Sequence, residues 1–237
     1  MPQTPDNRWA RKDLAVVPYR EALELQHRMA RGIRADGEAG VVLFLEHAPV
    51  FTLGKRGGRE NLTVSADFLK ARGISVFETE RGGNITYHGP GQLVVYPVVN
   101  LKLTGHGIAD YVSRLEEVML LTASDWHIPA QRNARNRGVW IGNNKLGSIG
   151  VAVKRGITLH GLALNVVTDM TPFGWINPCG LADIGMTSMA MAGAGEITVA
   201  QVRDSLAGHM AAVFNIQWKG APDKLRPDEN DLSPDDA

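Results

Sequence analysis

The chain has 237 residues, 44% of them hydrophobic and 21% charged, which is enough to bury the core of one large domain without disulfides. Lysine plus arginine equals aspartate plus glutamate at 25 each, so no net field attracts nucleic acid or an anionic membrane. The polar N-terminal stretch, the single cysteine and the absence of apolar runs near ~18 residues predict a cytoplasmic protein without a secretion signal or spanning helix.

Hydrophobic periodicity predicts three helices and six strands. In chain order, the helical stripes are Ala22, Leu25 and Met29 with Gly32 as the stop, then Ile108 to Met119, then Val199 to Val213. The strands are predicted at 41–45, 74–77, 93–99, 139–141, 149–153 and 158–165. Because helices and strands mix without a regular βαβ order, we expect an α+β fold with a mixed β-sheet flanked by helices.

The predicted elements belong to one domain. Lys154-Arg155-Gly156 separates the last two strands and predicts a hairpin with Gly156 at positive φ. Polar, proline-containing ends and the lack of an internal linker or repeat predict a single catalytic domain at 13–220, with 1–12 and 221–237 as flexible tails. A monomer would suffice for such a domain.

Cys179 is the only cysteine and lies in Asn177-Pro178-Cys179-Gly180. A lone thiol cannot form a disulfide within its own chain, so it is an inert core side chain, a metal ligand without sulfur partners, or a nucleophile. The histidines show no metal-ligand spacing, and we expect neither a metal nor a cofactor. The residues alone leave the role of the thiol open.

The glycine-rich stretch 81–92 (RGGNITYHGPGQ) precedes an apolar strand. Its glycines let backbone approach a ligand closely, and its arginine and histidine supply polar contacts. It matches no phosphate-loop pattern. A ligand-facing loop and a solvated turn both fit this composition.

Two further strands carry polar residues among small ones. Lys145 begins the first, ahead of Ser148-Ile149-Gly150, and is either solvent-exposed or an ammonium held beside Cys179. His160 lies on the second, and a lone strand histidine is usually a satisfied core residue. Ser148 is not in a Gly-x-Ser-x-Gly elbow, which disfavours a serine hydrolase.

Taken together, RGGNITYHGPGQLVVYPVVNL (81–101), GVWIGNNKLGSIGV (138–151), LHGLALNV (159–166) and INPCG (176–180) resemble the lipoyl(octanoyl) transferase family of lipoate biosynthesis. The segment EHAPVFTLG (46–54) is also similar. This resemblance implies the fold shared with biotin protein ligases and lipoate-protein ligases. It further implies transfer of an octanoyl group from acyl carrier protein to a lysine of a lipoyl domain, in 2-oxoacid dehydrogenase subunits or the glycine cleavage H protein.

The resemblance also implies residue roles. Cys179 would be the acyl-thioester nucleophile, and Lys145 would lower its pKa. The acyl pocket would be walled by Arg81, Gly82, Gly83, Asn84, Ile85, Thr86, Tyr87, His88, Ser148, Ile149, Gly150, Gly161, Leu162 and Ala163. We expect the glycines and Ala163 among them to leave a channel for the acyl chain. Arg132, Arg135 and Arg137 either border this site or lie in a solvated loop.

Three other functions compete with this interpretation. An ATP-dependent lipoate or biotin ligase would share the fold and need no cysteine. A noncatalytic lipoyl-binding module would leave Cys179 packed and unreactive. A cysteine hydrolase would need a histidine base, for which His88 and His160 are available.

Overall fold

The computed structural model describes residues 7–36, 39–177 and 184–223. The strands and helices are β1 (Arg8–Val17), α1 (Tyr19–Asp36), β2 (Gly40–His47), β3 (Val50–Leu53), α2 (Ala66–Lys70), β4 (Ser75–Glu78), β5 (Thr86–His88), β6 (Gln92–Val99), α3 (Leu101–Thr104), α4 (Ile108–Ser124), β7 (Gly138–Ile141), β8 (Asn144–Lys154), β9 (Ile157–Asn165), β10 (Gly185–Met186), α5 (Val199–Phe214) and β11 (Gln217–Asp223). Among these helices, none combines the length and hydropathy that crossing a membrane requires.

The main sheet has eight strands in the order β10-β8-β9-β6-β2-β1-β11, with β7 paired to β8. Strand β1 runs parallel to β2 and β11, whereas β6 runs antiparallel to β2 and β9, so the sheet is mixed as predicted. A smaller sheet has the order β4-β3-β5. The predicted hairpin joins β8 to β9, and Arg155 and Gly156 have φ of 54° and 87°, as its two-residue turn requires.

Helices cover both faces of the main sheet. Leu115 of α4 and Leu206 of α5 belong to the core on one face, whereas Ala22 and Ile33 of α1 belong to the core on the other. Successive residues of the central strand β6 alternate between these two cores, as side chains of a strand must. The α+β prediction is therefore confirmed.

The first helix is longer than predicted. It continues through Gly32 to Asp36. The reason is that Ile33, one helical turn beyond Met29, extends the apolar stripe and is only 1% exposed. Burial of that turn outweighs the cost of one glycine inside a helix, about 1 kcal/mol.

The proposed N-terminal tail is corrected in part. Residues 8–12 lie in β1, because Trp9 is 1% exposed and stacks near Phe214 with ring centroids 5.3 Å apart. Strand β11 beside it also reaches Asp223, beyond the predicted domain end. The remaining residues of both proposed tails, 1–6 and 224–237, lie outside the described ranges.

Candidate functional site

A pocket lies between the glycine-rich loop and strands β8 and β9. Its cavity volume is about 50 Å³, within about 550 Å³ of space that includes open solvent. Its lining comprises Tyr19, Arg81, Gly83, Asn84, Ile85, Thr86, His88, Tyr96, Asn136, Lys145, Ser148, Ile149, Gly150, His160, Gly161, Leu162 and Ala163. The loop is fixed to the sheet, since the Gly82 N–H donates to the Val151 carbonyl at 2.9 Å. Segments distant in sequence thus form one site.

All but three of the predicted site residues line this pocket. Gly82 contributes the backbone contact to β8 just described. Tyr87 is a correction, because its ring packs against Phe51 and Phe173 at centroid distances of 5.3 and 5.5 Å, in the core of the smaller sheet. Strand alternation turns Tyr87 away from its pocket-lining neighbours on β5. Cys179 lies outside the described residues.

Lys145 is buried, which decides against the solvent-exposed alternative. The residue is 2% exposed, and its Nζ lies 5.1 Å from the centroid of the Trp140 ring. An ammonium is costly to bury without partners, and an indole face is one favourable partner. Trp140 is itself fixed, because its backbone exchanges two hydrogen bonds of 2.8 Å with Gln131. The structure therefore holds a cationic side chain in the pocket wall.

Arg81 supplies a second buried cation. Its Nη2 donates to the Thr52 carbonyl at 2.6 Å and to the Thr52 Oγ1 at 2.8 Å, and its Nη1 donates to the Gly82 carbonyl at 3.0 Å. The residue is 7% exposed. Because a planar guanidinium makes such a forked contact in one orientation only, Arg81 holds the glycine-rich loop against β3 of the smaller sheet.

Three buried histidines surround the pocket in neutral form. Burial lowers the pKa of His47 to about 4 and that of His160 to about 4. Burial and the neighbouring His47 hold the pKa of His88 well below its usual value. His47 is satisfied as a neutral ring, because Nδ1 donates to the Val17 carbonyl at 2.6 Å and Nε2 accepts from the Tyr96 hydroxyl at 2.8 Å.

His160 differs from the satisfied core histidine expected of its type. It is 1% exposed, and its Nε2 lies 3.3 Å from Thr79 Oγ1, but its Nδ1 has no hydrogen-bond partner among the described residues. Its φ is 59°, a region that non-glycine residues adopt rarely. The backbone N–H leaves the strand ladder and donates to Gln26 Oε1 of α1 at 2.6 Å.

A chain of hydrogen bonds links the pocket to the Lys145 strand. His88 Nδ1 donates to Gln92 Oε1 at 2.7 Å, and Gln92 Nε2 donates to Asn165 Oδ1 at 2.9 Å. Asn165 Nδ2 then donates to the Thr187 carbonyl at 2.9 Å, and the Thr187 N–H donates to the Lys145 carbonyl at 3.0 Å. Every amide in this chain is buried, so the arrangement has a single low-energy orientation.

Two glycines of the pocket lining, Gly161 and Gly150, also have close protein neighbours, and their role in an acyl channel stays a prediction. A Cβ on Gly161 would collide with the Val95 carbonyl oxygen, and one on Gly150 would lie 3.0 Å from the Gly82 carbonyl oxygen. These glycines allow the sheet and the loop to close on one another. Ala163 is 6% exposed and lines the pocket, so it keeps the role of a small wall residue.

Four residues that line the pocket are absent from the predicted wall: Tyr19, Tyr96, Asn136 and His160, the last of which the sequence analysis treated as a core residue or a hydrolase base. Tyr96 interrupts the apolar strand β6. A hydroxyl group in such a strand is the one sequence pattern that could have indicated a pocket residue at this position. Tyr19 begins α1, and its hydroxyl lies 3.1 Å from Thr79 Oγ1. Asn136 precedes β7 within the arginine-containing loop. The spacing of residues in the sequence does not show that this loop lies beside the pocket.

Comparison with known proteins agrees with this geometry. Residues 18–211 match the family described as lipoyl protein ligase A/B catalytic domain. An octanoyltransferase from Desulfotalea psychrophila is 43% identical over 205 residues, which cover 85% of this chain and 92% of that protein. Another, from Syntrophobacter fumaroxidans, is 40% identical over 87% of this chain and 91% of its own length.

A lipoate-protein ligase A solved with bound ATP has a similar fold. The two chains superpose with a TM-score of 0.72, covering 94% of this chain and 90% of that one. At 17% identity, this likeness establishes the fold alone.

Proposed function

Because the chain belongs to the octanoyltransferase family, we propose that it moves an octanoyl group from acyl carrier protein to lysines of lipoyl domains through a Cys179 thioester. The members of this family are acyltransferases with the lipoyl protein ligase A/B catalytic domain. The observation that carries the proposal is the buried ammonium of Lys145 in the wall of a pocket built from the predicted segments. A buried cation of this kind stabilises a nearby thiolate.

Contacts on both sides of the Cys179 segment support its approach to Lys145. Before the segment, the Asn177 N–H donates to the Asn61 carbonyl at 2.9 Å, and Asn61 Nδ2 donates to Asn84 Oδ1 of the pocket at 3.0 Å. After the segment, β10 pairs in parallel with the beginning of β8, beside the lysine. The described residues before and after Cys179 therefore contact a residue that lines the pocket and the strand that carries Lys145, respectively.

In the first step, the Cys179 thiolate attacks the thioester carbonyl carbon of the octanoyl donor. A new S–C bond forms, the bond to the carrier sulfur breaks, and the carrier leaves as a thiolate that takes up a proton. One thioester replaces another, so the step is close to thermoneutral. Lys145 favours it by stabilising the attacking thiolate, whose pKa it would lower by a unit or more.

In the second step, the amine of the lipoyl-domain lysine attacks the octanoyl-enzyme. An amide forms, the Cys179 sulfur leaves as a thiolate, and the amine loses a proton. Lys145 can relay that proton, because consumption of the thiolate in the first step removes its anionic partner and makes the ammonium easier to deprotonate. Regeneration of the thiolate restores the starting pair.

Intact mass tests the covalent step. After incubation with octanoyl-carrier protein, we expect the wild type to gain one octanoyl group and Cys179→Ala to gain none. Cys179→Ser is the matched control for shape. An unmodified wild type under conditions in which the donor is intact would reject the covalent intermediate.

Alkylation kinetics test the role of Lys145. Iodoacetamide reacts with the thiolate, so its rate follows the pKa of Cys179. We expect Lys145→Met, which keeps the length of the side chain, to raise the pH of half-maximal rate by a unit or more. Trp140→Phe keeps an aromatic ring face beside Lys145 and should change the pH of half-maximal rate less. An unchanged profile in Lys145→Met would separate this lysine from thiol activation.

Ala163 tests the acyl pocket. We expect Ala163→Val to shift the preference between hexanoyl and octanoyl donors toward hexanoyl, because added methyl groups occupy pocket space. An unaltered preference would reject Ala163 as a pocket wall. Acceptance of free octanoate with ATP, without a carrier-bound donor, would instead indicate the ligase activity named by the lipoate-protein ligase neighbour.

A further inference from the structure

A second cavity opens beside the pocket and is rich in arginine. It holds about 1320 Å³ of space, including open solvent. Its lining comprises Arg56, Gly83, Asn84, Glu116, Arg132, Asn133, Ala134, Arg135, Asn136 and Arg137. Four arginines face one carboxylate in a chain whose net charge is zero. We call this cavity the arginine cleft.

The carboxylate at its base engages two of the arginines. Glu116 is buried, accepts from the Gly138 N–H at 2.9 Å, and lies 3.1 Å from Arg137 Nη1 and 3.5 Å from Arg132 Nε. Arg132 also pairs with Glu117 at 2.6 Å. These contacts fix the loop before β7 and leave its positive charge only partly neutralised.

The other two arginines, Arg56 and Arg135, are exposed, and no ion pair or side-chain hydrogen bond of theirs occurs within the described ranges. Their backbones are anchored nonetheless. The Arg56 N–H donates to the Gly83 carbonyl at 2.9 Å, and the Arg135 N–H donates to Asn133 Oδ1 at 2.9 Å. Two guanidinium groups are therefore positioned on fixed backbone to receive an anion.

The cleft is continuous with the pocket, because Gly83, Asn84 and Asn136 line both. A donor whose acyl chain fills the pocket must extend its thiol-bearing arm outward. We propose that the arginine cleft binds the phosphodiester of a phosphopantetheine arm, with Arg56 and Arg135 as its main contacts. The proposal rests on the function proposed above and assigns the group of the donor that the cleft recognises. Guanidinium forks match phosphate oxygens better than single amines do.

Equilibrium binding tests this with two unreactive analogues whose thioether cannot be cleaved: S-octyl-pantetheine and its phosphorylated counterpart, the methyl phosphodiester of S-octyl-4′-phosphopantetheine. By calorimetry, we expect the wild type to bind the phosphorylated analogue at least about tenfold more tightly, which one charge-assisted hydrogen bond suffices to give. The double variant Arg56→Gln/Arg135→Gln should bind both analogues equally, with unchanged affinity for S-octyl-pantetheine. Increasing the salt concentration should reduce the ratio of the two affinities in the wild type.

The matched control is Arg31→Gln/Arg34→Gln, which removes two cations from a separate cavity along α1. It should leave the tenfold ratio intact. A ratio near one in the wild type, an unchanged ratio in the Arg56/Arg135 variant, or an equal loss in the α1 control would overturn the proposal. A binding defect of the Arg56/Arg135 variant toward the whole carrier protein, without a defect toward the small phosphorylated analogue, would also overturn the proposal. The arginines would then recognise the surface of the carrier protein.

Acylation of Cys179 in the same preparations separates this proposal from the proposed function. If the wild type is acylated but binds both analogues equally, the function stands and the phosphate site fails. If the wild type binds the phosphorylated analogue selectively but is never acylated, the phosphate site stands and the covalent transfer fails.

Discussion

His47 makes a specific prediction about acid stability. The ring is fully buried, and burial lowers its pKa from 6.5 to about 4. Below about pH 6.5 the unfolded chain binds a proton at this residue, whereas the folded chain binds one only near pH 4. The stabilisation is therefore complete above pH 6.5 and is lost as the pH falls toward 4.

The magnitude follows from linkage. Each unit of difference in pKa between the folded and unfolded states corresponds to about 1.4 kcal/mol once both states have titrated. Between pH 7 and pH 5, one histidine with a folded pKa of about 4 lowers the free energy of unfolding by about 2 kcal/mol. That loss is a large part of the ~5–15 kcal/mol typical of a domain.

Urea unfolding at pH 7 and pH 5 measures this loss in the wild type and in His47→Gln. A glutamine can donate to the Val17 carbonyl and accept from Tyr96 as the neutral ring does, but it does not titrate. We expect the loss to be about 2 kcal/mol smaller in the variant. His127→Asn is the control, because that histidine is exposed and asparagine tolerates its φ of 55°. An equal loss of the free energy of unfolding between pH 7 and pH 5 in His47→Gln and the wild type would refute the assignment of this loss to His47.

Two further substitutions test how the site is held together. Gly161→Ala places a methyl group against the Val95 carbonyl and should destabilise the fold by roughly 1–3 kcal/mol, measured by urea unfolding. Gly174→Ala, with nothing within 4 Å of the added Cβ, should change stability by no more than about 0.5 kcal/mol. Arg81→Lys loses the forked contact to Thr52 and should cost about 1–3 kcal/mol. A lysine variant as stable as the wild type would show that charge, and not the fork, holds the loop.

The six predicted strands include those with the longest apolar runs, β2, β6 and β9, because two-sided burial leaves a visible run of hydrophobic residues. The short strands β3, β5 and β10 and the terminal strands β1 and β11 were missed. Strand β1 carries four charged residues and buries only Trp9, and its position is set by parallel pairing with β2 and β11. Such pairing joins distant segments, and local periodicity does not encode it.

The site residues show the same difference between what local sequence patterns predict and what depends on contacts between distant segments. Three of the segments that the family resemblance selected, 81–101, 138–151 and 159–166, meet in one pocket. The resemblance also included Tyr87, whose side chain is directed into the smaller core by strand alternation. The glycines of 81–92 were predicted to let backbone approach a ligand, and Gly161 was predicted to leave space for the acyl chain; the protein neighbour of each glycine was not predicted. For Gly161 that neighbour is the Val95 carbonyl of the adjacent strand, and only the register of β6 and β9 reveals it.

The neutral histidines bear on which residue exchanges protons with the thiol. A hydrolase-type mechanism would use an imidazole base with a pKa near neutrality. Here burial lowers the pKa of His160 to about 4 and that of His88 well below its usual value, so both are weak bases at neutral pH. The His88 Nδ1 proton is also committed to Gln92. Among the described pocket residues, the charged groups are the cations Arg81 and Lys145, and such surroundings favour a thiolate over a thiol. For the acyl transfer proposed above, the electrostatics of the pocket therefore favour Lys145 over His88 or His160 as the residue that would activate Cys179.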